Sequence, residues 1–400
     1  METILSEWLN LGLRWLHVIA GIAWIGSSFY FVHLDSSLKR SGGLPDGAGG
    51  EAWQVHGGGF YNMVKYLVAP ARMPDELTWF KWEAYTTWIS GFFLLVVLYY
   101  AHAELYLVEP LGFANPKWVA IAASLVLLVV GWVTYDELCK SRLGRNDNLL
   151  SAFGFAFLVA FSWLSTLLFS GRGAYMQMGS LIGTIMVANV FLIIIPNQKK
   201  VVDDLIAGRE PDPSLGEQAK QRSMHNNYLT LPVLFLMISN HYPMSFASRW
   251  NWLILAIVLV VGAVIRHFYN VRHRGLPNPW WTWGVAAVGM VAIVLLSTGG
   301  PSHGERAAAP PEQEVSFAEV EAIVLGRCSM CHAAEPLWPG IASPPKGVMF
   351  DHPELIRLQA REIYLQAAAT DAMPPANVTE LEPAERGLLA AWYRAGAPAQ

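Results

Sequence analysis

The strongest constraint on the fold is a series of eight long apolar segments in the first three quarters of the chain. Each is close to the roughly twenty residues that a helix needs to cross a bilayer. The segments run over 9–32, 80–101, 117–136, 149–170, 174–195, 228–242, 250–269 and 280–298. Because lipid offers the backbone no hydrogen-bond partner, each is predicted to be a helix. We therefore expect an all-α fold with an eight-helix transmembrane bundle over residues 1–299, whose sixth helix is short and interrupted by Pro232.

Composition and basic residues indicate how the chain lies in a membrane. The sequence is 54% hydrophobic and only 14% charged, which is too apolar for a soluble protein of 400 residues. Most Lys and Arg occur in the odd-numbered connections, whereas the even-numbered connections carry only Lys117, Arg172 and Arg249. Since basic connections stay in the cytoplasm, we predict a multi-pass protein of a bacterial inner membrane with both termini outside. The first segment has no basic region before it and is predicted to be a retained span.

A Cys-x-x-Cys-His motif follows the apolar segments. Cys328 and Cys331 are separated by two residues, and His332 comes directly after them. This spacing lets two thiols bond to a porphyrin edge while the imidazole ligates its iron, so we predict covalent haem c. A zinc site would need a second ligand pair, and the only other cysteine, Cys139, is far upstream; a redox dithiol is the other alternative. Haem c is attached on the oxidising side of a membrane, which agrees with an external C-terminus.

The iron of such a haem takes a second axial ligand, for which we predict Met373. This residue precedes Pro374 and Pro375, whose fixed φ angles favour a rigid, extended loop. The rival donors are Met349 and His352.

A change of composition marks the domain boundary. Residues 297–316 are rich in Gly, Pro, Ala and Glu without periodicity, which is typical of a linker. We therefore predict a linker over 300–316 and a small class I-like cytochrome c domain over 317–400, periplasmic in the predicted orientation. The formal net charge of −4 does not suggest a nucleic-acid partner.

Polar side chains at helical spacing within or beside the apolar segments are the candidates for a catalytic site. Charged groups at membrane depth are costly and are therefore often functional, although helix packing, capping and snorkelling are the structural alternatives. His56 lies outside the apolar segments but is also a candidate, because three glycines follow it and would allow a ligand to approach closely. The candidates are Arg14, His17, His56, Lys81, Glu83, Arg222, His225, Asn226 and Asn227.

Several stretches of the chain resemble the bacterial membrane-bound urate hydroxylases with a fused C-terminal cytochrome c. They are WLHVIAGIAWIGSSFYF, HGGGFYNMVKYLVAP, LTWFKWEAYTTWISG, MVANVFLIIIP and RSMHNNYLTLPVLFLMISNHYP, followed by CSMCH and MPP. The resemblance implies oxidation of urate to 5-hydroxyisourate in purine breakdown. It also implies that the haem domain takes the electrons in place of oxygen and passes them to an external acceptor of the respiratory chain. It provides no assignment of catalytic residues.

The residues themselves make this reaction plausible. An anionic purine needs a cation, amide partners and a base, which Arg222, His225, Asn226 and Asn227 offer at the predicted cytoplasmic side. Because the haem is predicted on the opposite side, we expect a second redox relay in the bundle, such as a haem b held by two histidines. The histidines considered are His17, His102 and His241 in the outer half and His33, His56 and His267 at the inner side. If urate instead enters from outside, the outer set becomes the active site.

Two other functions fit parts of the pattern. The first apolar segment also resembles helices of membrane haem-handling and copper-resistance proteins, for which Met176 and Met178 would be soft ligands. Alternatively, the bundle is a quinol-oxidising module with a cytochrome tail. Reduction by quinol rather than by a purine would distinguish this function.

Overall fold

The computed structural model describes residues 2–70, 73–109, 116–298, 315–339, 341 and 343–399, and most of them are helical. The α-helices are α1 (Glu2–Ser37), α2 (Trp82–Leu95), α3 (Ala103–Tyr106), α4 (Lys117–Lys140), α5 (Asp147–Leu168), α6 (Gly171–Ala188), α7 (Ile195–Ile206), α8 (Pro213–Ser239), α9 (Pro243–Phe246), α10 (Asn251–His273), α11 (Trp281–Ser297), α12 (Phe317–Arg327), α13 (Pro353–Leu358), α14 (Ala360–Ile363) and α15 (Pro383–Arg394). The strands are β1 (Ala48–His56) and β2 (Gly59–Tyr66). Segments of π-helix cover Val96–Tyr100, Asn189–Ile194 and Tyr364–Ala368, and 3-10 turns cover Arg142–Arg145, Pro345–Gly347 and Pro375–Asn377.

Every predicted apolar segment falls on helical structure. Within the described residues, five helical runs are long and apolar enough to cross a membrane, and α11 is apolar but shorter. These runs are Ile4–Ser37, Lys117–Lys140, Asp147–Leu168, Gly171–Ile206 and Asn251–His273. The fourth of them joins α6 and α7 through the π segment Asn189–Ile194. Several apolar helices of this chain could therefore span a membrane.

The core of the bundle is built around α6, which contacts α4, α5 and α8. Its Tyr175, Leu181 and Ile185 are fully buried. The outer helices instead expose large apolar side chains, such as Trp15 of α1 and Val288 of α11. Apolar side chains thus occur both in the interior and on the outer surface, as a bundle surrounded by lipid requires.

The sixth predicted segment is the apolar end of a longer helix, and the prediction that Pro232 interrupts it was wrong. Helix α8 begins at Pro213, where the Asp212 side chain accepts a hydrogen bond from the backbone N–H of Ser214. Pro232 lies inside the helix, and its ring packs against Gly262 of α10. A helix breaker is tolerated there because a neighbouring helix approaches closely. The polar group at 222–227 consequently lies inside α8 rather than at its start.

The first connection contains a β-hairpin, which the all-α prediction missed. Strands β1 and β2 are antiparallel, with His56 opposite Gly59. Gly57 and Gly58 have φ angles of 57° and 81°, and positive φ at both central residues is what a two-residue type I′ turn requires. The available signal was the alternation of apolar and polar residues in WQVH, which is followed by three glycines and an aromatic pair.

Residues 315–399 form a second unit with its own hydrophobic core. Val320 and Val324 of α12 pack with Leu389 and Trp392 of α15 in this core. The 364–368 segment of the unit contacts α9, and its 375–377 turn contacts α3. Helices α3 and α9 belong to the second and sixth connections of the bundle, both of which were predicted to face outward.

Candidate functional site

The Arg222 side chain forms an ion pair inside the bundle. Its exposed fraction is only 3%, and its Nη2 donates to Asp136 Oδ1 of α4 at 2.7 Å. The guanidinium also lies over the ring of Tyr135, with Cζ 5.1 Å from the ring centroid. Arg222 is therefore already compensated by a carboxylate, which the sequence interpretation of a free anion-binding cation did not anticipate. The second oxygen of Asp136 is bound by Lys140.

A hydrogen-bond network continues from this ion pair. Asn189 accepts a bond of 3.3 Å from Arg222 Nη1 and donates through Nδ2 to Tyr135 Oη at 3.0 Å and to Asn226 Oδ1 at 2.9 Å. Tyr135 Oη lies 2.7 Å from His225 Nδ1. A phenol and an imidazole are thus in direct contact, and a proton can move between them, while the two amides hydrogen-bond to the same group of side chains. Asn189 opens the π segment of the fourth apolar run, Gly171–Ile206, and such a backbone irregularity is frequent at functional sites.

Asn227 belongs to a different cluster, although it follows Asn226 directly. Its Oδ1 accepts from Asn270 Nδ2 at 2.9 Å and from Arg266 Nε at 3.3 Å, both on α10. Consecutive residues of a helix point about 100° apart, which explains the separation. The predicted group of four residues is therefore split between two faces of α8.

Arg14 and His17, the two candidates on α1, contact different groups. His17 Nδ1 lies 2.9 Å from the Thr87 carbonyl oxygen and 3.2 Å from Ser90 Oγ, so the ring joins α1 to α2. Arg14 is exposed, and its Nε donates to Asn10 Oδ1 at 2.7 Å. These contacts favour the helix-packing interpretation for His17.

The remaining bundle candidates lie at the predicted cytoplasmic end. Lys81 occupies the N-cap position of α2, with Nζ 5.8 Å from the ring centroid of Trp82, and Glu83 is half-buried in the first turn. These positions fit snorkelling and complementing the helix N-terminus. His56 is exposed at the tip of the hairpin, where the following glycines serve the turn.

The Cys-x-x-Cys-His motif occupies a turn directly after α12. Burial raises the pKa of the Cys328 thiol to about 12, while Cys331 is half-buried. His332 Nδ1 lies 3.0 Å from the Val348 carbonyl oxygen and can only donate to it, which leaves Nε2 with its lone pair for a metal. Burial lowers the pKa of His332 and so favours the neutral ring. The two thiols and the oriented imidazole fit attachment of a haem c.

The surroundings of His332 bear on the second axial ligand. The Val348 carbonyl oxygen contacts His332 Nδ1, so the backbone that leads to Met349 begins on the side of the ring away from Nε2, and His352 is exposed. Met373 instead packs against the same core as Cys328. Its loop is held by the buried Arg386, which donates to the Met373 carbonyl oxygen at 3.0 Å. This geometry favours Met373 among the three candidates.

The other histidines of the described residues do not form a pair that could hold a second redox cofactor. His102 and His241 are exposed, and His267 Nδ1 lies 3.1 Å from Tyr228 Oη. His33 and His273 meet edge to face with ring centroids 4.5 Å apart, which leaves no space for a macrocycle between them. In the described part of the chain, no group of three or more His, Cys, Asp or Glu side chains is arranged to hold a metal ion. A second redox cofactor stays a prediction.

Sequence reasoning missed the partners that complete both clusters. Asp136 and Asn189 complete the cluster of Arg222, and Arg266 and Asn270 complete that of Asn227. Each is a polar residue within or at the end of an apolar run, which was a usable signal. Their assembly depends on packing between four different helices.

Comparison with known proteins identifies the bundle. The family model described as urate oxidase N-terminal matches residues 3–297, from the start of α1 to the end of α11. No curated protein matches the chain. No solved structure matches it either. Since the match covers well over half of the sequence, the chain belongs to the urate oxidase N-terminal family.

Proposed function

We propose that this protein oxidises urate to 5-hydroxyisourate and passes the electrons to a haem c bound by its own C-terminal unit. The family match over 3–297 carries the first half of this proposal, and the motif Cys328, Cys331 and His332 carries the second. Urate and one water become 5-hydroxyisourate, two protons and two electrons. Haem c, when bound, accepts one of these electrons at a time.

The inner half of the bundle supplies the chemistry that this reaction needs. The reaction requires donors that bind the anion, a group that accepts a ring proton and a site from which bulk water is excluded. The Tyr135–His225 contact at 2.7 Å supplies a proton-accepting imidazole whose ring is oriented by a phenol. Buried Arg266, whose hydrogen bonds go to amide oxygens rather than to a carboxylate, supplies positive charge.

We also propose that the chain is a multi-pass protein of a bacterial inner membrane, with eight spans and both termini outside. The basic residues of the odd connections and the five long apolar runs support this placement. The C-terminal unit contacts α3 and α9, which lie in connections predicted to be external. A haem bound in that unit would then lie on the periplasmic side.

The two ends of this electron path are far apart. Arg266 follows Asn251, the first residue of α10 at the external end, by fifteen positions, which is about 22 Å along the helix axis. A relay inside the bundle therefore belongs to the proposal, and haem b is one form that it can take.

The first experiment is an anaerobic absorbance spectrum of the purified protein before and after urate is added. Reduction of a c-type haem by urate is expected, whereas Cys328→Ala should show less covalent haem and less reduction. Met330→Ala is the matched control, because Met330 lies between the two cysteines and is exposed. Reduction by a quinol but not by urate would overturn the proposal and favour a membrane electron-transfer module.

The axial ligand is tested in the same protein. Because a Met ligand raises the potential of haem c, Met373→Ala is expected to lower the reduction potential and change the haem spectrum. Met349→Ala should leave both unchanged, since the chain reaches Met349 from the Nδ1 side of His332. The opposite pattern would move the sixth ligand to Met349.

A further inference from the structure

Arg266 differs from Arg222 in what surrounds its charge. Its exposed fraction is 5%, and its hydrogen bonds go to amide oxygens, from Nε to Asn227 at 3.3 Å and from Nη2 to Asn270 at 3.1 Å. Within the described residues, no carboxylate pairs with it. A buried guanidinium without a counter-charge is costly, because the neutral amides only partly replace its hydration. The environment of Arg266 therefore lacks an anion.

Asn227 adds an unused hydrogen-bond donor to the same place. Its side chain is completely buried, and its Nδ2 has no hydrogen-bond partner. Exchanging the positions of its oxygen and nitrogen would not satisfy the amide, since Oδ1 already accepts hydrogen bonds from both Arg266 and Asn270. The exchanged amide would direct N–H groups at two donors. The orientation of Asn227 is thus set by its neighbours, and the missing partner is an acceptor.

The guanidinium is also held from one side. Its Cζ lies 3.8 Å from the ring centroid of Phe29 on α1, so the guanidinium stacks on the aromatic face. Phe29, Asn227 and Asn270 fix the plane of the guanidinium. Nη1 makes no hydrogen bond in the part of the chain that the structure describes, which leaves a further donor for a ligand.

We infer that Arg266 and Asn227 bind the anionic edge of the purine, with Asn270 and Phe29 holding them in position. This inference rests on the proposed function and names the residues that recognise its substrate. Urate is a planar anion whose carbonyl oxygens accept hydrogen bonds, so it supplies both the charge that Arg266 lacks and the acceptor that Asn227 lacks. Arg222, paired with Asp136, then has a structural role beside the proton-accepting network.

Equilibrium binding of urate tests this inference without turnover. The haem of the full-length protein is first reduced with dithionite under anaerobic conditions, so that bound urate has no electron acceptor, and tryptophan fluorescence is then followed as urate is added. Arg266→Gln is expected to weaken binding by about 10-fold to 100-fold, as loss of a buried charged hydrogen bond does. Arg272→Gln is the control, because it removes the same charge from an exposed position on the same helix.

A second variant protects the test against a failure of Arg266→Gln to fold. Asn270→Asp places a carboxylate beside Arg266, which compensates the charge internally and is expected to weaken urate binding by at least about 10-fold while preserving the fold. In turnover, both variants should raise KM more than they lower kcat. Unchanged affinity in both variants, in a protein whose wild type binds urate, would overturn the inference alone. A wild type that neither binds urate nor is reduced by it would overturn the proposed function.

Discussion

Removing the carboxylate of Asp136 should strongly destabilise the bundle. The ion pair with Arg222 has an N···O distance of 2.7 Å, and both side chains are buried. Asp136→Asn leaves the guanidinium in place without its counter-charge, which typically costs about 3–5 kcal/mol. For a unit of this size, such a loss lowers the unfolding midpoint on the order of 10 °C. The temperature at which half of the detergent-solubilised protein remains monodisperse measures this midpoint.

The adjacent residue provides a matched control. Glu137 contacts the same Lys140 at 3.6 Å, but its side chain is 68% exposed. Glu137→Gln makes the same chemical change in an exposed ion pair, which usually contributes less than about 1 kcal/mol, so its midpoint should hardly move.

A double variant separates the loss of attraction from the cost of a lone buried charge. Asp136→Asn combined with Arg222→Gln removes both charges and retains amides that can bond to each other. Most of the stability lost in Asp136→Asn should therefore return. If Asp136→Asn alone melts like Glu137→Gln, Arg222 does not depend on Asp136, and its role as a free substrate-binding cation is restored.

Two further predictions concern packing and pH. Gly262→Ala should destabilise the bundle by about 1–3 kcal/mol, because the new Cβ would lie 2.6 Å from Pro232 Cδ. Gly183→Ala is the control, because a Cβ there would meet no neighbouring atom within 4 Å, and thermal melts should show no loss of stability. Hydrogen bonds from Ser316 lower the pKa of Glu319 in the capping box of α12. Its contribution is therefore complete above the ordinary pKa of 4.5 and is lost as the pH falls through the lower folded value. Melts of Glu319→Gln should lack this acid-side decrease, and an unchanged pH profile would contradict the assignment.

Local pattern predicted the helices because it depends on residues that are close in the chain. The segment 117–136 became α4, and 250–269 became α10, with small differences at the ends. The pattern failed at Pro232, since a neighbouring glycine on α10 accommodates the ring. It also failed in the first connection, because the strands β1 and β2 contain no long apolar run.

The candidate sites also differ in whether their residues are close together in the chain. The motif at Cys328 shows in the sequence because its residues are consecutive, and its spacing alone predicts a haem. The clusters in the bundle cannot be recognised in the sequence. Asp136 and Arg222 are 86 positions apart in the chain, and Asn227 and Arg266 are 39 apart. No periodicity connects such residues.

The sequence by itself thus determined a helical, apolar chain with a Cys-x-x-Cys-His motif near its C-terminal end, from which haem c is predicted, because hydrophobic periodicity and motif spacing are local properties. Only the tertiary structure decided which cations are compensated. Arg222 meets a carboxylate and Arg266 meets amides, although both are buried arginines on helices of the bundle. The reason is that a buried charge is defined by its neighbours in space, and these are set by helix packing rather than by position in the chain.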